Sequence, residues 1–195
     1  SLSLEPAANA YPWKRYPQAE AINAFARGVG AAMSGSPAAA QDEIKRLTTL
    51  RDAAANAKLA YWADQIDIQA EVVRGLATIA DGKRDEGLAI LRKAADREDA
   101  TTKHAVTPGP LLPAREVLAQ MTLESGQAAQ ALREYETVLE KEPNRYRAYA
   151  GAAQAAVRAG DQKKAAYYHA RVLEQAEAAD TPRAEVAQAR RFFGM

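Results

Sequence analysis

Four glycines, Gly35, Gly82, Gly126 and Gly160, constrain this chain more than any other feature of its sequence. Each stands where a run of helical hydrophobic spacing breaks off, the place where a helix ends in a left-handed residue that glycine adopts at little cost. The residues around them recur. Seven positions before them stand Gly28, Gly75, Ala119 and Ala153, and five positions after stand Ala40, Gly87, Ala131 and Ala165. All eight are Gly or Ala, which is what two helices need to cross closely about a turn. Nine positions after come Ile44, Leu91, Tyr135 and His169; twelve after come Leu47, Ala94, Val138 and Val172. These are bulkier and mostly apolar, suited to filling the space toward a following helix pair. The pattern predicts helix pairs hinged at the glycines, with Ala119 facing Ala131 across the Gly126 turn and no room there for larger side chains.

Alanine, the strongest helix former, fills about a quarter of the 195 residues, and no stretch alternates with period two for long enough to argue a strand. An all-α chain follows. Helices are predicted at 18–33, 37–57, 59–80, 84–98, 111–125, 127–142, 145–159, 162–178 and 183–193. Ser36-Pro37 offers an N-cap followed by proline at the first helical position, and Thr181-Pro182 repeats the arrangement. Residues 1–17 carry three prolines and no helical period, so an extended lead-in is expected ahead of a helical domain at 18–195. A beginning of that kind, without Met, suggests a piece of a longer protein.

Lys and Arg number 26 against 25 Asp and Glu, a net charge of +1, so neither nucleic acid nor a generally anionic partner is implied. No apolar run approaches the roughly 20 residues of a membrane span. The absence of cysteine excludes disulfides, thiolate catalysis and Cys-ligated zinc, and leaves the redox compartment open.

The 34-residue step from Gly126 to Gly160 carries a family likeness. The unit from Leu112 to Arg145 resembles a tetratricopeptide repeat through Leu118, Ala119, Gly126, Ala131, Tyr135 and Pro143. The unit 146–179 does so through Tyr149, Ala153, Gly160 and Ala165, with His169 at the aromatic place and Glu177 in place of proline. The two earlier pairs are longer. The segments YPWKRYPQAEAINAFARGVGAA, YWADQIDIQ and EDATTKHAVTPGPLLPARE are similar to the C-terminal region of larger bacterial tetratricopeptide-repeat proteins of uncharacterised role. The resemblance implies a right-handed α-α superhelix of about four helix pairs (18–57, 59–98, 111–143 and 145–178), closed by a capping helix at 183–193. It transfers a fold and no activity, and it hints at export.

Little in the chain suggests catalysis. His104 sits in the Pro/Gly-rich stretch TTKHAVTPGP, predicted to be an ordered loop, and His169 sits in a helix beside Tyr167 and Tyr168. Neither has a partner at metal-ligand spacing. Asp64, Asp67 and Glu71 share one helix face and could act as acid and base or hold a hard cation, although such a row is more often a solvated face. Phosphate loops, nucleophile elbows and zinc-protease helices are missing. The expectation is a non-enzyme with neither cofactor nor metal, its alternative being a metal- or ligand-handling enzyme subunit using His104.

A binding surface is better supported. In helix-pair solenoids the first helix of each pair lines the concave face. Counting thirteen, ten, six and three residues back from each glycine gives Ile22, Phe25, Val29, Ala32, then Gln69, Val72, Leu76, Ile79. The later pairs give Pro113, Glu116, Gln120, Leu123, then Arg147, Ala150, Gln154, Val157. The candidate binding residues are therefore the apolar Phe25, Val29, Val72, Leu76 and Ile79 and the polar Glu116, Gln120, Arg147, Gln154 and Arg158. The apolar half is expected to be covered by residues 4–17, by missing N-terminal repeats or by a second copy of the chain. Charge is uneven too: 115–142 carries −3 and 144–171 carries +5. An unidentified protein or peptide partner, acidic in character, is expected near Arg147, Gln154 and Arg158.

Overall fold

The computed structural model describes residues 13–102 and 110–195. Among them lie a 3-10 turn at Trp13–Arg15 and nine α-helices, with no strand. The helices are α1 (Pro17–Met33), α2 (Pro37–Asn56), α3 (Ala60–Ala80), α4 (Arg84–Ala100), α5 (Ala114–Glu124), α6 (Ala128–Lys141), α7 (Tyr146–Ala159), α8 (Gln162–Gln175) and α9 (Ala184–Phe192). Each predicted helix is present, its ends displaced by at most three residues. The late start of α5 has a cause. Pro113 keeps Leu112 out of helical conformation, so the helix begins behind the proline.

All four landmark glycines end helices with positive φ, between +71° and +84°. The space around them is open, so a side chain there would be opposed by the backbone and not by crowding. The helix starts follow the sequence less closely. Pro37 stands at the first position of α2 as expected, yet Ser36 makes no side-chain capping bond. Thr181-Pro182 does not open α9 at all: the Thr181 hydroxyl donates to Asp180 Oδ1, and the helix begins at Ala184 behind Arg183. Asp161 does cap its helix, Oδ1 accepting from the Lys164 N–H at 3.0 Å.

Two compact units divide the chain, Ser1–Ala114 and Arg115–Met195. In the first, α1 to α4 pack each on the next, α1 also meets α3, and the Trp13–Arg15 turn lies on α1. Their core holds Ile44, Leu47, Ile66, Val72, Val73 and Leu91. The small residues sit where helices approach most closely. A Cβ on Gly28 would stand 2.9 Å from both γ-carbons of Val73, and one on Gly87 would stand 2.6 Å from the carbonyl oxygen of Gly75. Arg27 with Glu43 and Arg46 with Glu20 tie α1 to α2 at 2.8 Å and 2.6 Å.

In the second unit α6, α7 and α8 pack in sequence and α9 lies on α8. Ala119 and Leu123 of α5 join Ala131, Leu132, Tyr135 and Val138 of α6 in one apolar cluster with the inner faces of α7 and α8. The bulky positions fill the gap to the next helix, as predicted: the Tyr135 ring lies on Gly151 of α7, and His169 lies on Phe192 of α9 with ring centroids 4.7 Å apart. Ala119 and Ala131 are both fully buried. Ala131→Leu is expected to overpack the α5–α6 pair and cost about 1–3 kcal/mol in denaturant unfolding. An unchanged midpoint would mean that the register about Gly126 is misassigned.

Candidate functional site

Of the eight positions counted back from Gly126 and Gly160, six line one cleft of about 460 Å³ in Arg115–Met195: Glu116, Gln120, Leu123, Arg147, Ala150 and Gln154. Arg158 joins them, so all five polar candidate residues share this cleft. The arrangement follows from helix period. Glu116 and Gln120 lie one turn apart on α5, and Arg147, Gln154 and Arg158 follow one face of α7. Gly151 of α7 leaves room for the Tyr135 ring of α6, and both line the cleft with them.

Ion pairs organise its charge. Glu116, only 3% exposed at its side chain, accepts from Arg145 and forms an ion pair with Arg147 Nε at 3.2 Å. Gln120 Nε2 donates to Glu124 Oε1 at 3.0 Å, and Gln154 Nε2 donates to Gln188 Oε1 at 3.1 Å. Arg183 stands over the Tyr146 ring, 5.2 Å from its centroid. Arg147 remains 64% exposed at its side chain despite its ion pair with Glu116. Burial, reinforced by Glu116, pushes the Tyr135 phenol well above the ordinary tyrosine range. Burial likewise raises Tyr146, with Glu185 adding to it and Arg183 opposing. Both phenols stay neutral at physiological pH and act as donors or as apolar surface.

The uneven charge of the sequence is largely settled inside this unit. Lys164 Nζ of the basic stretch reaches Glu136 Oε1 of the acidic stretch at 2.7 Å, and Arg145 and Arg147 pair with Glu116. Three arginines (Arg147, Arg158, Arg183) and three glutamates (Glu116, Glu124, Glu185) line the cleft, which is balanced and not simply basic.

No protein-family model matches the chain, and no curated protein matches it.

The other candidates lie apart from the cleft. Phe25, Val72 and Leu76 are buried within Ser1–Ala114, and Val29 and Ile79 are half-buried there. Side chains so enclosed serve that unit's core. The row of carboxylates on α3 is occupied by arginines: Arg97 donates to Asp64 and Asp67, Arg51 to Asp67, and Arg74 to Glu71. Burial alone would raise the Asp67 carboxyl, but its bonds to Arg97 and Arg51 outweigh that and hold it below the ordinary value. Such a group is a poor general base. Among the described residues no set of three His, Cys, Asp or Glu is grouped to hold a metal ion. His104 and most of its loop, like residues 4–12 of the expected self-covering segment, lie outside the described residues. No described helix is long and apolar enough to cross a membrane.

Sequence reasoning missed Glu124, Tyr135, Tyr146, Gly151, Arg183 and Glu185 as cleft residues. For Gly151 a signal was available, since a glycine inside a helix predicted to face Tyr135 marks a close approach. Arg183 and Glu185 had none, because no glycine landmark carries the count past α8.

Proposed function

We propose that the chain is a non-catalytic interaction protein of tetratricopeptide-like helix pairs, α1/α2, α3/α4, α5/α6 and α7/α8, wound as a right-handed superhelix and capped by α9. A protein or peptide segment occupies the cleft between α5 and α7. The observation that carries this reading is the convergence of six register positions, chosen by counting alone, on one cleft. A surface built from the same face of successive first helices is the surface such repeats use for partners. Arg147 and Arg158 are exposed cations within it, while Glu116 is taken up by Arg145 and Arg147 and Glu124 by Gln120. An extended segment with acidic side chains suits that arrangement.

The test is fluorescence anisotropy of Glu/Asp-rich peptides against the full chain. Binding should weaken steeply with added salt, and Arg147→Glu/Arg158→Glu should weaken it by about tenfold or more, on the order of 1.4 kcal/mol. Affinity indifferent to both changes would reduce the cleft to a solvated surface.

A further inference from the structure

A second cleft in Arg115–Met195, of about 410 Å³, opens where α7, α8 and α9 meet. Its lining differs from the first in kind. Arg158 and Arg191 contribute two guanidinium groups, Gln154 and Gln188 two amides, and Val157, His169 and Phe192 the remaining wall; no carboxylate is among them. Gln188 Oε1 accepts from Gln154, which uses the acceptor of Gln188 and leaves its amide N–H groups as donors. The Arg191 guanidinium has no ion-pair or hydrogen-bond partner among the described residues, and the Arg158 guanidinium has a single long bond, from Nη1 to the Leu123 carbonyl at 3.5 Å.

His169 closes the wall beside Phe192. The residue is 5% exposed, and its Nδ1 is buried without a hydrogen-bond partner. Burial holds the imidazole below its usual pKa, which keeps it neutral where it packs against Phe192 in the cleft wall. The cleft thus combines cations and amide donors with the apolar surface of Val157 and Phe192.

We propose that this cleft binds a small organic oxyanion, its charged group held by Arg158 and Arg191 and its body set against Phe192 and His169. Planar guanidinium forks match the two oxygens of a carboxylate and those of a phosphate alike. Aromatic and aliphatic walls select an anion that carries an apolar body over the bare ion. The site goes beyond the peptide cleft: it shares Gln154 and Arg158 with it, whereas Arg191, His169 and Phe192 belong to this site alone.

The experiment titrates the full chain with benzoate, phenyl phosphate and inorganic phosphate at constant ionic strength. It follows the His169 imidazole resonance, assigned by its loss in His169→Gln. A saturable shift with benzoate or phenyl phosphate is expected, tighter than with inorganic phosphate. Arg191→Gln should weaken it at least tenfold, while Arg190→Gln, an exposed neighbour outside the cleft, and Arg147→Glu should leave it unchanged. Benzoate binding tighter than phenyl phosphate assigns a carboxylate ligand, and the reverse order assigns a phosphate ester. A shift that grows linearly and is matched by sodium chloride overturns the proposal, as does saturable binding unaffected by Arg191→Gln in a protein of unchanged circular dichroism. Loss of acidic-peptide binding with benzoate binding intact would count against the peptide reading alone.

Discussion

Gly87→Leu is expected to be the most damaging single substitution in Ser1–Ala114, lowering its stability by about 3 kcal/mol or more. The reason is the identity of the atoms in the way. A Cβ at position 87 would meet the Gly75 carbonyl oxygen at 2.6 Å and the Ile79 backbone nitrogen at 3.0 Å. Side chains can swing aside, but backbone inside a helix cannot, so α3 and α4 would have to separate. Separation loosens Leu91 as well, which packs against Gly75 from α4 and is fully buried. Gly87→Ala recovers up to about 1 kcal/mol in helix propensity and should still come out destabilised. Gly30 in α1 supplies the control, because no atom lies within 4 Å of a Cβ built there. Gly30→Ala should stabilise by about 0.5–1 kcal/mol. Urea unfolding of the three variants measures all these effects, and a Gly87→Leu protein as stable as the parent would disprove the close crossing.

The second large effect concerns a buried ion pair. Arg115 Nη1 donates to Glu134 Oε2 at 2.6 Å between α5 and α6, with both side chains nearly excluded from water. Glu134→Ala should cost up to about 3–5 kcal/mol, since it takes a carboxylate partner from a guanidinium in a poorly solvated place. The double variant Arg115→Met/Glu134→Leu should be much less destabilised than the single one, because an apolar pair of similar volume removes both charges together. Equal losses in the single and double variants would show that packing, not charge, governs the position.

The helix pairs were legible because they rest on local rules: glycine at a left-handed stop, proline near a start, small residues seven before and five after each turn. The cleft was legible for a related reason, since a helix's period fixes which residues share a face. The surroundings of those faces were not. Phe25, Val72 and Leu76 read as a binding stripe and are core side chains, a difference that only the packing of α1 against α3 decides. Asp64 and Asp67 read as free carboxylates because Arg97, which neutralises them, lies about thirty residues away. Thr181 read as a cap because the sequence does not disclose that its hydroxyl turns to Asp180. Long-range partners, unlike periods, leave no mark in sequence spacing.

The acidic stretch about α5 and α6 and the basic stretch about α7 and α8 have a consequence for how Arg115–Met195 comes apart. Each hairpin alone would hold charges of one predominant sign and half of a shared apolar cluster. The links from Lys164 to Glu136 and from Arg145 and Arg147 to Glu116 exist only when both hairpins are formed. Neither hairpin is then expected to fold by itself, even though the repeat pattern would allow each to be counted as a unit. Opening of either exposes half of the shared apolar cluster and unbalanced charge on the other, so the two are expected to open together.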